Sequence, residues 1–137
     1  VAGFAREVQM ESWARSVFAI TLVVEDLDAA REFYGRAFGI PEHYFGGDSA
    51  VFEVGGLLIN LLRVDKGPGL LDPVPVAGPD SGVRMQVTVI VDDVDEVAAE
   101  LGRRGVALLR GPEDRPWGVR TATFRDPAGH VWEITRR

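Results

Sequence analysis

Residues 17–40, VFAITLVVEDLDAAREFYGRAFGI, and residues 83–106, VRMQVTVIVDDVDEVAAELGRRGV, are two versions of one pattern. Each runs from an apolar strand through an acidic turn ending in Asp into an amphipathic helix closed by Gly. Aligned on Asp26–Leu27 and Asp93–Val94, the strands match in length and the helices begin at the same place. Self-similarity at this spacing implies a duplicated supersecondary unit, and it restricts the fold more than any other feature of the chain.

Alternation assigns the strand faces. Phe18, Ile20, Leu22 and Val24 share one face of the first strand, and Ala19, Thr21 and Val23 the other. In the second repeat Met85, Val87, Val89 and Val91 oppose Arg84, Gln86, Thr88 and Ile90. The more apolar face is the one a helix should cover. The helices answer with apolar stripes: Ala30, Phe33, Tyr34, Ala37 and Phe38, then Val94, Val97, Ala98 and Leu101. Asp28 and Asp95 fall at or near the first turn, where a carboxylate satisfies free N–H groups and the helix dipole. Gly39, and Gly102 or Gly105, can end the helices.

Shorter strands follow each helix, expected at about 42–46, 49–54 and 57–64, then 106–110, 119–125 and 131–135. The chain therefore reads as a single α+β domain of two tandem βαβββ modules, module one about 17–64 and module two about 83–135. Segment 65–82, DKGPGLLDPVPVAGPDSG, reads as an extended linker. Residues 1–16 read as an arm, an amphipathic helix or a loose segment, either disordered or packed on a partner.

Composition narrows the function. The net charge of −6 over 137 residues argues against general nucleic-acid binding. The chain has no cysteine, which removes disulfides, thiolate metal sites and a Cys nucleophile and fits a cytoplasmic location. No apolar run reaches the length of a membrane span, and no signal-peptide core stands near residue 1. There is no GxGxxG with a following acidic residue and no Walker-type loop.

The tandem modules, with ITLVVEDLDAAREFYGRAFGI opening the first and FRDPAGHVWEI (124–134) closing the second, resemble the vicinal oxygen chelate superfamily. That superfamily includes glyoxalase I, fosfomycin-resistance transferases, extradiol dioxygenases and bleomycin-resistance proteins. The resemblance implies curved mixed sheets around a cleft, with helices on the outer face. It also implies up to four metal-ligand positions. The first, usually His, falls on Ala19; one on the fourth strand falls near Asn60; the next, usually His, falls on Gln86; the last is Glu133.

Alanine supplies no donor and amides are weak neutral ones, so no metal is expected, with Gln86 and Glu133 as the weak candidates for one. Strand parity directs Thr21, Asn60, Gln86, Thr88 and Glu133 into the cleft, with Leu58, Leu62 and Ile90 as apolar wall. Such a mixture suits a small molecule. Trp117, in PEDRPWGVR (112–120), resembles the PWG stretch of bleomycin-resistance proteins and could stack on a flat ligand.

The expected function is thus metal-independent binding of a small hydrophobic or aromatic molecule, such as an antibiotic, in a homodimer. One alternative is a glyoxalase/lyase- or isomerase-type enzyme using Glu133 as catalytic base, with or without a weakly bound divalent metal. Another is an interaction module with a vestigial cleft. Trp132, Tyr34 and Phe38 read as core, His130 as a turn residue, and His43 as a surface loop residue.

Overall fold

The computed structural model describes residues 12–136. The first repeat builds β1 (Ala19–Val24), α1 (Leu27–Phe38), β2 (Tyr44–Phe45), β3 (Ser49–Val54) and β4 (Leu57–Arg63). A 3-10 turn (Val64–Lys66) and a short helix, α2 (Gly67–Leu71), follow. The second repeat builds β5 (Gln86–Ile90), α3 (Val94–Arg103), β6 (Leu108–Asp114), β7 (Arg120–Arg125) and β8 (Val131–Thr135).

The repeated Asp of the turn is the helix cap in both modules. The Asp26 carboxylate accepts from the Ala29 N–H, and that of Asp93 from the Glu96 N–H, each at 3.0 Å. Asp28 and Asp95 sit inside the first turn, where their charge faces the positive end of the dipole. Gly39 ends α1 in the left-handed region, with φ of 69°, a conformation that costs a residue without Cβ nothing.

Each module closes into a four-stranded mixed sheet, ordered β1-β4-β3-β2 and β5-β8-β7-β6. The first strand of a module pairs in parallel with its last, and the remaining pairs are antiparallel. Register then fixes which side chains meet. Thr21 lies opposite Asn60 and Leu22 opposite Leu61; Thr88 lies opposite Glu133 and Val89 opposite Ile134.

The predicted alternation is realised. Leu22, Val24, Ala50, Phe52, Ile59 and Leu61 are buried on one face of the first sheet, and Ala122, Phe124, Trp132 and Ile134 on one face of the second. Between these faces lies α1. Its Tyr34 ring meets Phe52 of the first sheet at 6.1 Å and Trp132 of the second at 5.8 Å. Phe38 packs edge-on to Trp132 at 4.9 Å, and Phe33 reaches Phe124 at 6.3 Å. The two modules therefore share one core within the chain, and the faces bearing Thr21 and Thr88 are turned away from it.

Three local expectations need correction. Segment 65–82 is not wholly extended, because residues 64–71 wind into the 3-10 turn and α2. Pro68, at the start of that helix, needs no amide hydrogen there, so its ring is tolerated. The stretch expected to end at 110 continues as strand to Asp114, through shifts in register at 108–110 and 110–113. Pro112 is thus in an irregular strand, and the loop before β7 is only 115–119. The expected strand 42–46 shrinks to Tyr44–Phe45. The arm falls largely outside the described residues; residues 12–18 have no regular structure and Trp13 is exposed.

Candidate functional site

Two polar pairs stand on the sheet faces turned away from α1. On the first sheet, the Asn60 side-chain amide donates to the Thr21 hydroxyl at 3.3 Å. Leu58 and Leu62 flank Asn60 along the same face of β4, as the parity argument requires. On the second sheet, the Thr88 hydroxyl donates to Glu133 Oε1 at 3.1 Å. Thr123 lies opposite Glu133 on its other side, so the carboxylate stands in a row of hydroxyls. Gln86 sits one pleat along β5, opposite Val131. Ile90 is exposed on the same face.

The predicted residues thus fall into two groups, one on each sheet, rather than into one closed pocket. Trp117 is on the 115–119 turn, held by an Arg115 N–H to Val119 carbonyl bond of 2.7 Å, and it is 64% exposed. The Arg115 guanidinium covers the ring at 4.6 Å from its centre. Nε of Arg115 is buried there with no acceptor among the described residues.

A second constellation escaped the sequence reading. Asp126, at the start of the closing turn, is buried, and its Oδ1 accepts from the backbone N–H of Ala128 at 3.0 Å and of His130 at 2.8 Å. Its Oδ2 accepts from the Tyr34 hydroxyl at 2.6 Å and from His130 Nδ1 at 2.8 Å. Trp132 Nε1–H in turn donates to the Tyr34 oxygen at 2.9 Å. Burial pushes the Asp126 carboxyl up, but the hydrogen bonds from His130 and Tyr34 outweigh it and hold the group below its usual range. Burial, and then the neighbouring Asp126 charge, push the Tyr34 phenol well above its ordinary value. The local signal was Asp126 four residues before His130; the partner Tyr34 is 92 residues away and left no mark in the motif.

His130 also borders a partly open cavity of ≈ 270 Å³. It lies between β1, the segment after α2 and the closing turn. Thr21 is the only predicted site residue on its wall. His43 is exposed beside Glu53, 3.9 Å away.

The residues at the four metal-ligand positions do not fit a divalent transition metal. Ala19, Asn60, Gln86 and Glu133 together offer one carboxylate and two neutral amides, split between two sheets. Among the described residues, no three His, Cys, Asp or Glu side chains come together as a metal-binding group.

Paired four-stranded mixed sheets, each carrying a βαβββ module and one covering helix, define the architectural class. Residues 16–134 match the sequence profile of the Glyoxalase/Bleomycin resistance protein/Dioxygenase superfamily, and the chain belongs to it. A glyoxalase/bleomycin resistance protein/dioxygenase from Nocardioides is similar in structure, with a TM-score of 0.81 and 27% identity over 98% of this chain and 90% of its own. TioX from Micromonospora sp. ML1 has a TM-score of 0.68 and 31% identity, covering 89% of this chain and 98% of its own. The uncharacterised protein YraH of Bacillus subtilis is 29% identical over 84% of this chain and 93% of its own. No helix among the described residues is long and apolar enough to cross a membrane.

Proposed function

We propose that the chain binds a small hydrophobic or aromatic molecule without a metal, in clefts completed by a second copy, and that sequestration of a flat antibiotic is the use this serves. The donor set carries the reading. Where a transition metal would need about three imidazole or carboxylate ligands, the sheets offer the amides Asn60 and Gln86 and the one carboxylate of Glu133, groups that suit hydrogen bonds to an organic guest. Apolar wall comes from Leu58, Leu62 and Ile90, and Trp117 supplies an exposed ring face.

The place of these groups supports a dimer. The sheets meet through α1 on their opposite faces, so the Asn60 and Glu133 groups look outward from one chain. A second copy can bring the first-sheet face of one chain against the second-sheet face of the other. Ile90, on the Thr88 face, is more than half exposed and gives that contact an apolar component.

An enzyme of the lyase or isomerase type is the second reading. Its support is the half-buried Glu133 carboxylate, which among the described residues has a single hydrogen-bonding neighbour, Thr88, and so keeps an oxygen for a substrate proton.

Titration of tryptophan fluorescence with bleomycin, doxorubicin and ethidium tests the first reading. At least one compound should bind saturably, with equal affinity in EDTA, and Glu133→Ala should weaken it about tenfold, the scale of one lost charged hydrogen bond. Dilution below the dimer's dissociation constant, followed by sedimentation, should remove binding and dimer together. Binding to none of the three, or only after addition of zinc or manganese, would overturn the proposal.

A further inference from the structure

We propose a second binding site, centred on His130 and reaching only Thr21 of the predicted site residues, for a small neutral ring compound bearing a hydroxyl group. It is the cavity between β1, the segment after α2 and the closing turn, with His130 as the hydrogen-bond acceptor.

The chemistry starts from Asp126. Its carboxylate is buried, and Oδ2 lies 2.8 Å from His130 Nδ1. An ionised carboxylate only accepts, so in the neutral imidazole the proton lies on Nδ1 and the lone pair on Nε2. Nε2 makes no hydrogen bond to the described residues, and the ring lines the cavity. The turn itself does not need the imidazole, because Asp126 Oδ1 already holds the backbone N–H groups of residues 128 and 130. A buried carboxylate that fixes the tautomer of a half-exposed histidine presents one directed acceptor to whatever enters.

The walls define the rest of the guest. Leu22, Val23, Val76, Val83 and Met85 supply apolar surface. The volume of ≈ 270 Å³ lies just below the usual range for ligand pockets, which suits a compound of one or two rings. Arg84 and Glu25 also line the cavity, and neither forms an ion pair among the described residues. One cation and one anion leave no net charge, which favours a neutral guest over a carboxylate or an amine. A phenol-like hydroxyl meets each requirement: its O–H donates to Nε2 and its ring fills the apolar space.

Naphthols test this on the full chain. Uniformly labelled protein is titrated with 2-naphthol and with 2-methoxynaphthalene, which has the same rings but no O–H. The imidazole signals are followed by NMR, and His43→Gln assigns the two histidines. 2-Naphthol should shift the His130 signals saturably and leave those of His43 in place. The methoxy compound should bind about tenfold more weakly, the scale of one hydrogen bond.

By calorimetry His130→Gln should lose about the same factor. Ala77→Trp, at an exposed wall position that tolerates bulk, should fill the space and abolish binding. Glu133→Ala should leave naphthol affinity unchanged, which separates this site from the Glu133 group of the second sheet. No saturable His130 shift, equal affinity for the two naphthalenes, or undiminished binding by Ala77→Trp would overturn the proposal.

Discussion

Replacing Tyr34 by phenylalanine should destabilise the whole chain although it removes one oxygen atom. That oxygen donates to the buried Asp126 carboxylate at 2.6 Å and accepts from Trp132 Nε1–H at 2.9 Å. A hydrogen bond to a charged group contributes about 1.5–3 kcal/mol, and a buried donor left without an acceptor costs about 1–3 kcal/mol. Both losses occur together, partly offset by relaxation of the ring, so we expect about 3 kcal/mol. Domains of this size have roughly 5–15 kcal/mol in hand, so the variant should still fold.

Urea unfolding followed by circular dichroism measures the loss as a lower midpoint at unchanged slope. A cycle with Trp132→Phe should give a coupling of about 1 kcal/mol or more, because the second substitution removes the donor that the first leaves stranded. A loss below about 1 kcal/mol for Tyr34→Phe, or no coupling, would refute the view that this oxygen ties the modules together.

The same network predicts the pH response. Asp126 is held below its usual range, so its contribution is complete above about pH 4 and fades as pH falls through the lower folded value. Tyr34 is raised above its ordinary 10.0, so its contribution holds below that pH and is lost above it, as the unfolded phenol ionises. Urea midpoints should therefore fall at both extremes, and Tyr34→Phe should flatten the alkaline limb. Gly111→Ala should cost at least about 2–3 kcal/mol. Its φ is 86°, and a Cβ there would lie 2.4 Å from the Thr121 carbonyl oxygen; a melting curve reads the loss. Asp26→Ala and Asp93→Ala should each cost about 1 kcal/mol by urea unfolding, as the N-caps of α1 and α3.

Local periodicity carried most of the fold. The repeat placed α1 and α3 and the order of strands, and alternation put Asn60 on the Thr21 face and Glu133 on the Thr88 face, since a pleat has only two sides. Two kinds of feature were not legible. The first is backbone that punctuation residues disguise: Gly67, Pro68 and Gly69 read as linker yet begin α2, and Gly111–Pro112 reads as a strand end yet lies within β6. The second is contact between distant positions. Nothing in FRDPAGHVWEI names Tyr34, and the cavity beside His130 depends on where residues 76–85 come to rest over β1. The candidate groups were found singly, but their division between two sheets required three dimensions.

The two helices of the duplicated unit no longer do equal work. The first presents Phe33, Tyr34 and Phe38 and serves both sheets, whereas the second offers only the small aliphatic stripe of Val94, Ala98 and Leu101. The halves are consequently not interchangeable. Expressed alone, the later half would leave the indole of Trp132 bare to solvent, while the earlier one would retain its own lid. Duplication has here become dependence: a gene encoding only the C-terminal repeat would yield an insoluble or partnered fragment, never a free-standing miniature of the whole.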